Sequence, residues 1–290
     1  MTSGPSLSAP LVSTQWLADH FGSDKLVVLD ATVVPWVQPN GRSGYLSGLD
    51  AYLVEGHLPG AVFADLIDEF SDPEGPYPFT RPTAQAFATA AASVGIDNNT
   101  TVIVYDSAVG QWAARIWWLF RAYGYDSVAV LDGGLKKWIA EERDLDYGHV
   151  QPTATEFTVA ERPDLWVDKA FVDGVVAGTE TAALVCGLPP AEFSGQAGNR
   201  ARLGHIPGSL NAPAGRLVDR ENNTLLDETA LRSTFAPVLG EERIVTYCAG
   251  GIAAASDALA LTVLGHRNVA IFDGSLNEWV EDATAPLETA

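Results

Sequence analysis

Cysteine is scarce: the 290 residues hold two, Cys186 and Cys248. Two thiols cannot build a disulfide framework, which excludes the small stapled secreted folds and fits a reducing compartment. The expectation is therefore a cytoplasmic protein. Positive charge is also short, with 17 Lys and Arg against 37 Asp and Glu and a net charge of −20. The deficit is shared, with 8 basic and 18 acidic side chains in residues 1–148 and 9 and 19 in residues 149–290. No basic face for nucleic acid is predicted in either half. Met1–Pro10 has no cationic leader, and no apolar run reaches bilayer length without interruption. Neither a secretion signal nor a membrane span is expected. What is present, 47% hydrophobic and 19% charged residues over this length, suffices for two ordinary globular cores.

The stretch Arg243–Ser256 organises the second half. The β-branched Ile244, Val245 and Thr246 lead through Tyr247 to Cys248, and an Ala/Leu-rich stretch runs on to Leu264. This predicts a strand, a tight loop and a helix start. The loop Ala249-Gly250-Gly251 has almost no side chains, so the backbone N–H groups of Ala249, Gly250, Gly251, Ile252 and Ala253 are expected to cradle whatever the Cys248 sulfur carries. A helix N-terminus behind them favours an anion there, and thiolate over thiol. Cys248 is the candidate nucleophile. The competing reading is a buried cysteine that ends a strand.

Strands alternate with helices along the first half. Leu26–Ala31, Ala61–Ala64, Thr101–Tyr105 and Ser127–Leu131 read as strands, and Thr83–Val94 and Gln111–Tyr123 as helices. Val34–Gly48, rich in Gly, Pro and Asn, reads as loop, with Trp36 and Arg42 facing a cleft. The second half repeats these events. Gly204-His205-Ile206-Pro207-Gly208 answers Gly56-His57-Leu58-Pro59-Gly60 at an offset of 148, and Tyr247-Cys248 answers Tyr105-Asp106 at 142. Asp273-Gly274-Ser275 answers Asp132-Gly133-Gly134, and Trp279 answers Trp138, both at 141. Near-constant offsets mark a tandem duplication of one α/β unit. The expected domains are residues 11–146 and 164–290, joined by a linker at 147–163. Each is expected to be a parallel sheet with helices on both faces, its ligand site beyond the carboxyl ends of the strands.

The paired Gly-His-x-Pro-Gly turns, the Asp-Gly-Gly and Asp-Gly-Ser turns each followed by Trp, the segment Arg115–Arg121, and Tyr105-Asp106 opposite Tyr247-Cys248 resemble the two-domain rhodanese family over about residues 11–285. That resemblance implies two rhodanese folds, the first non-catalytic, and a thiosulfate or 3-mercaptopyruvate sulfurtransferase cycling through a persulfide on Cys248. It implies a small anionic sulfur donor, a thiol or cyanide acceptor, and no metal or organic cofactor.

The resemblance is incomplete around the cysteine. Basic residues, or Gly-Ser-Gly or Gly-Thr-Gly, usually follow it, where this chain has Ala249-Gly250-Gly251. The usual Asp is replaced by Cys186, and the usual arginines at or near Leu188 and Glu192 are missing. Arg200 and Arg202 are the candidate replacements for binding the donor, and His57 is a further candidate by its place in the family. The sulfurtransferase reading competes with a catalytically weak rhodanese-like binding or sulfur-sensing protein. A cysteine phosphatase needs an arginine six residues after the cysteine, and Ala254 stands there. Cys186, flanked by Leu184 and Val185, is expected to be buried; an exposed Cys186 would be able to resolve a Cys248 persulfide.

Overall fold

The computed structural model describes residues 4–37 and 43–289, so Arg42 lies outside the described residues. The chain forms two compact units. The first comprises Met1–Glu74, Arg81–Glu161 and Arg220–Thr224; the second comprises Gly75–Thr80, Arg162–Asp219 and Leu225–Ala290. Each unit thus keeps a short segment drawn from the other half of the chain.

The first unit is built on a five-stranded parallel sheet of β1 (Leu11–Val12), β2 (Leu26–Asp30), β5 (Val62–Phe63), β6 (Thr101–Tyr105) and β7 (Val128–Leu131), in the order β1-β7-β6-β2-β5. All five residues of β6 are buried, as expected of a central strand covered on both faces. Between β2 and β5 lies an antiparallel hairpin of β3 (Val33–Val37) and β4 (Ser43–Ser47). The sequence expectation of loop there is corrected. Val33, Val34, Trp36 and Val37 suit a strand, and Pro35 is tolerated because a two-stranded ribbon has only edges.

The second unit repeats the plan with β8 (Trp166–Val167), β9 (Ala183–Cys186), β10 (Leu210–Asn211), β11 (Ile244–Tyr247) and β12 (Val269–Phe272), in the order β10-β9-β11-β12-β8, all parallel. The central strands β6 and β11 occupy equivalent places. Each is followed by a twelve-residue helix, α1 (Gln111–Ala122) after β6 and α3 (Ile252–Val263) after β11. Both helices start behind a left-handed glycine, Gly110 at φ 83° and Gly251 at φ 80°, a conformation costly for any residue with a Cβ. The next turns carry the short helices α2 (Gly134–Ala140) and α4 (Ser275–Trp279). Among the described residues no helix is long and apolar enough to cross a membrane.

Candidate active site

The Gly-His-x-Pro-Gly turns prove to be fastenings for the ends of the central strands. The Tyr105 hydroxyl accepts the Leu58 N–H at 3.1 Å, and the Tyr247 hydroxyl accepts the Ile206 N–H at 3.0 Å. His57 is fully buried and stacks on Tyr52 with ring centroids 4.0 Å apart. Its ring nitrogens lie 2.9 Å from the Leu58 carbonyl and 3.1 Å from that of Gly148. Every polar edge of His57 is thus taken by backbone. The matched His205 stacks on Phe193, with Nδ1 2.8 Å from the Phe193 carbonyl.

Beyond Tyr247 the chain turns sharply through Cys248, which is buried with 2% exposure. The turn from β12 into α4 holds it. Leu276 N–H donates to the Cys248 carbonyl at 3.1 Å, and Asn277 N–H to the Ala249 carbonyl at 2.9 Å. Ser275, buried and left-handed at φ 50°, donates its hydroxyl proton to the Phe272 carbonyl at 2.8 Å. The same oxygen accepts the N–H groups of Cys248 and Gly251, both at 3.1 Å. One member of the expected cradle is therefore corrected: the Gly251 N–H is turned to Ser275, because the hydroxyl satisfies an amide that the tight turn would otherwise bury unpaired.

The first repeat shows what such a loop holds. Asp106 Oδ1 accepts the N–H groups of Ala108 at 2.8 Å and Gly110 at 3.0 Å; Oδ2 accepts those of Trp112 at 2.9 Å and Ala113 at 3.0 Å. With the two helix starts in register at an offset of 141, Trp112 and Ala113 correspond to Ala253 and Ala254. The amides of Ala253 and Ala254 therefore stand at the helix positions whose counterparts grip a carboxylate in the first repeat, and Ala254 lies one residue beyond the expected 249–253.

Two further groups lie behind the loop. Cys186 on β9 pairs in register with Tyr247 and is fully buried, and burial pushes its thiol up to about 12. It is a protonated core thiol at neutral pH, not an exposed resolving one. Asp257 on α3 is fully buried, and among the described residues neither carboxyl oxygen has a hydrogen-bond partner. Burial drives its pKa well up, so the neutral acid is favoured. Gly187 makes room for it, since a Cβ there would approach Asp257 Oδ2 to 2.7 Å.

The candidate arginines are engaged elsewhere. Arg200 Nη2 pairs with Glu192 Oε2 at 3.1 Å. Arg202 donates to the Asp282 carbonyl at 2.7 Å and to that of Ala285 at 2.5 Å, which ties down the C-terminal stretch. Neither is brought to Cys248 by any of these bonds. The segment Gly75–Thr80, in contrast, belongs to this unit, with Tyr77 OH donating to Glu281 Oε2 at 2.8 Å. A Cβ on Gly250 would meet Asn277 Nδ2 at 3.0 Å and the Pro78 carbonyl at 3.2 Å. Sequence reasoning missed Ser275, Asn277 and this strap. One readable signal was the change from Gly134 to Ser275 at an otherwise matched turn. Among the described residues no group of three or more His, Cys, Asp or Glu side chains is arranged to hold a metal ion.

Both repeats match the rhodanese-like domain, over residues 13–141 and 188–282, and the chain belongs to that family. It is 33% identical to the 3-mercaptopyruvate sulfurtransferase of Escherichia coli K12, over 96% of this chain and 97% of that one. It is 31% identical to the thiosulfate sulfurtransferase of Gallus gallus, over 96% of each. The crystal structure of SseA from Escherichia coli, reported with the rhodanese fold and the mechanism of 3-mercaptopyruvate sulfotransferases, superposes with a TM-score of 0.81 at 31% identity, over 92% of this chain and 99% of that one. By fold the protein is a tandem rhodanese, α/β with two parallel sheets flanked by helices. By activity it is a sulfurtransferase.

Proposed function

We propose that Cys248 carries the transferred sulfur and that the amides of Ala249, Gly250, Ile252, Ala253 and Ala254 hold it. The Cys248 thiolate attacks the outer sulfur of the donor. With 3-mercaptopyruvate, the bond between carbon and sulfur breaks, its electron pair leaves with pyruvate, and carbon takes up a proton; with thiosulfate, sulfite leaves. The persulfide anion left on Cys248 then passes its outer sulfur to cyanide or a thiol and regenerates the thiolate. Backbone amides stabilise the anionic sulfur as an oxyanion hole stabilises oxygen. The observation that carries this reading is the Asp106 carboxylate, which accepts four backbone N–H groups at the equivalent loop.

The donor favoured is 3-mercaptopyruvate. Arg200 and Arg202 are bound to protein groups, and residues 249–254 carry no charged side chain, so a dianionic thiosulfate finds little compensation for its charge. In this proposal residues 11–146 form the non-catalytic domain, 147–163 the linker and 164–290 the catalytic domain. Two free cysteines and the acidic charge fit action in the cytoplasm on small molecules, without nucleic acid. The test is intact-protein mass spectrometry after exposure to each donor, with Cys248→Ser as control, followed by cyanide. A gain of one sulfur that requires Cys248 and is removed by cyanide is expected, faster with 3-mercaptopyruvate. No gain from either donor in folded, reduced protein would favour the binding or sensing alternative.

A further inference from the structure

We infer that Asn277 is a specificity-determining residue, its carboxamide donating a hydrogen bond to an oxygen of the sulfur donor; this rests on the sulfurtransferase reading above. Asn277 is placed against the Cys248 loop by its own backbone, whose N–H donates to the Ala249 carbonyl at 2.9 Å. Its Nδ2 lies 3.0 Å from where a Cβ on Gly250 would stand. The amide therefore occupies the space that a side chain at position 250 would fill. Residues 249–254 are Ala, Gly, Gly, Ile, Ala and Ala, and offer no side-chain donor of their own. Asn277 is half-buried, and its carboxamide makes no hydrogen bond with any described residue.

The first repeat provides the internal comparison. Lys136 stands at the equivalent place, at an offset of 141, and its Nζ is committed to the Arg220 carbonyl at 2.6 Å. Arg220–Thr224 packs with the first unit as Gly75–Thr80 packs with the second. In the repeat whose cradle is filled by Asp106, the side chain at this position fastens the strap. Where the cradle is left to Cys248, it does not. A neutral amide is also the donor suited to this neighbourhood. Glu278 follows directly and feels the acids Asp168, Asp273 and Glu281 against the cation Lys169, so the local field, in which acids outnumber it, disfavours a dianion. A carboxamide binds the carbonyl or carboxylate oxygen of a monoanionic 2-oxo acid carrying a thiol without requiring a second charge.

The test uses the full chain with 3-mercaptopyruvate as donor and cyanide as acceptor, comparing wild type, Asn277→Ala and Asn277→Asp. Asn277→Ala is expected to raise the donor KM about 5- to 10-fold, the range for one neutral hydrogen bond, with kcat changed less than about 2-fold. Asn277→Asp, which adds a negative charge, is expected to lose about 30-fold in kcat/KM. In a separate arm Cys248 is loaded with inorganic polysulfide and discharged to cyanide; the rate is expected to stay within about 2-fold of wild type in both variants, because the cradle itself is intact. An unchanged donor KM in Asn277→Ala overturns the inference alone, as does an equal fall in donor use and discharge. A wild-type chain that gains no sulfur from either source overturns the sulfurtransferase reading, and the inference with it.

Discussion

The loops after Tyr105 and Tyr247 have the same strand before them and the same left-handed glycine and helix behind them, yet opposite contents. The first is filled by its own Asp106, held by four amides. The second is one residue shorter and begins with a thiol that hydrogen-bonds none of them. Who serves the capping glycine differs as well. The Gly110 N–H goes to Asp106, whereas the Gly251 N–H goes to Ser275, which stands where the first repeat has Gly134. Removing a carboxylate from a loop lined with inward amides would leave those amides unpaired, and Ser275 supplies one of the missing acceptors. In the proposal above, the remaining amides are the ones that hold the transferred sulfur.

The sharpest way to break this comparison is Asp106→Ala. It strands four N–H groups, two of them in buried hydrogen bonds and two in part-buried ones, so the variant is expected to lose about 3 kcal/mol in denaturant unfolding. Sulfur loading on Cys248 in the folded protein should be retained; a variant as stable as wild type would show that the carboxylate is not what holds the first loop.

Ser275 is the next lever. Ser275→Ala removes an acceptor for two amides and a donor to Phe272 and is expected to cost about 2 kcal/mol, with about 10-fold slower loading of Cys248. Ser275→Gly, which copies the first repeat, should unfold at higher temperature than Ser275→Ala, because φ at 50° suits glycine. The reverse order in a thermal scan would remove backbone conformation from the account.

The smallest effect concerns Asp257, at the place of Ile116 in the first helix. Its raised pKa means that the folded chain keeps a proton which the unfolded chain releases near about 3.9. Its contribution is complete below that value and is lost as pH rises through the folded pKa. A carboxamide has no such proton to lose, so Asp257→Asn should gain on wild type between pH 4 and pH 8, ending a few °C higher in Tm. A Tm difference that stays constant over this range would mean that the carboxyl does not titrate differently on folding.

Much of this was legible in the residues. The central strands were readable because Thr101–Tyr105 and Ile244–Tyr247 are short β-branched runs, and the repeat because its landmarks keep their spacing. Cys248 and its loop were readable from glycines at a strand-to-helix turn. The hairpin of Val33–Val37 and Ser43–Ser47 was not, since loop-forming composition between its strands outweighed their propensity. The engagement of Arg200 and Arg202 was not either. Their partners, Glu192 and the carbonyls of Asp282 and Ala285, are selected by packing, and spacing carries no record of it.

By itself the chain determined the duplicated α/β plan, the acidic charge and the single cysteine at the end of a central strand. These follow from composition, from local strand and helix propensity, and from the spacing of matched landmarks along the chain. Only the tertiary structure decided that Ser275 takes the Gly251 N–H and that a strap from residues 75–80 joins the unit containing the cysteine. Those outcomes depend on where distant backbone segments meet, and a hydrogen bond is made or lost within a fraction of an ångström that no local pattern encodes.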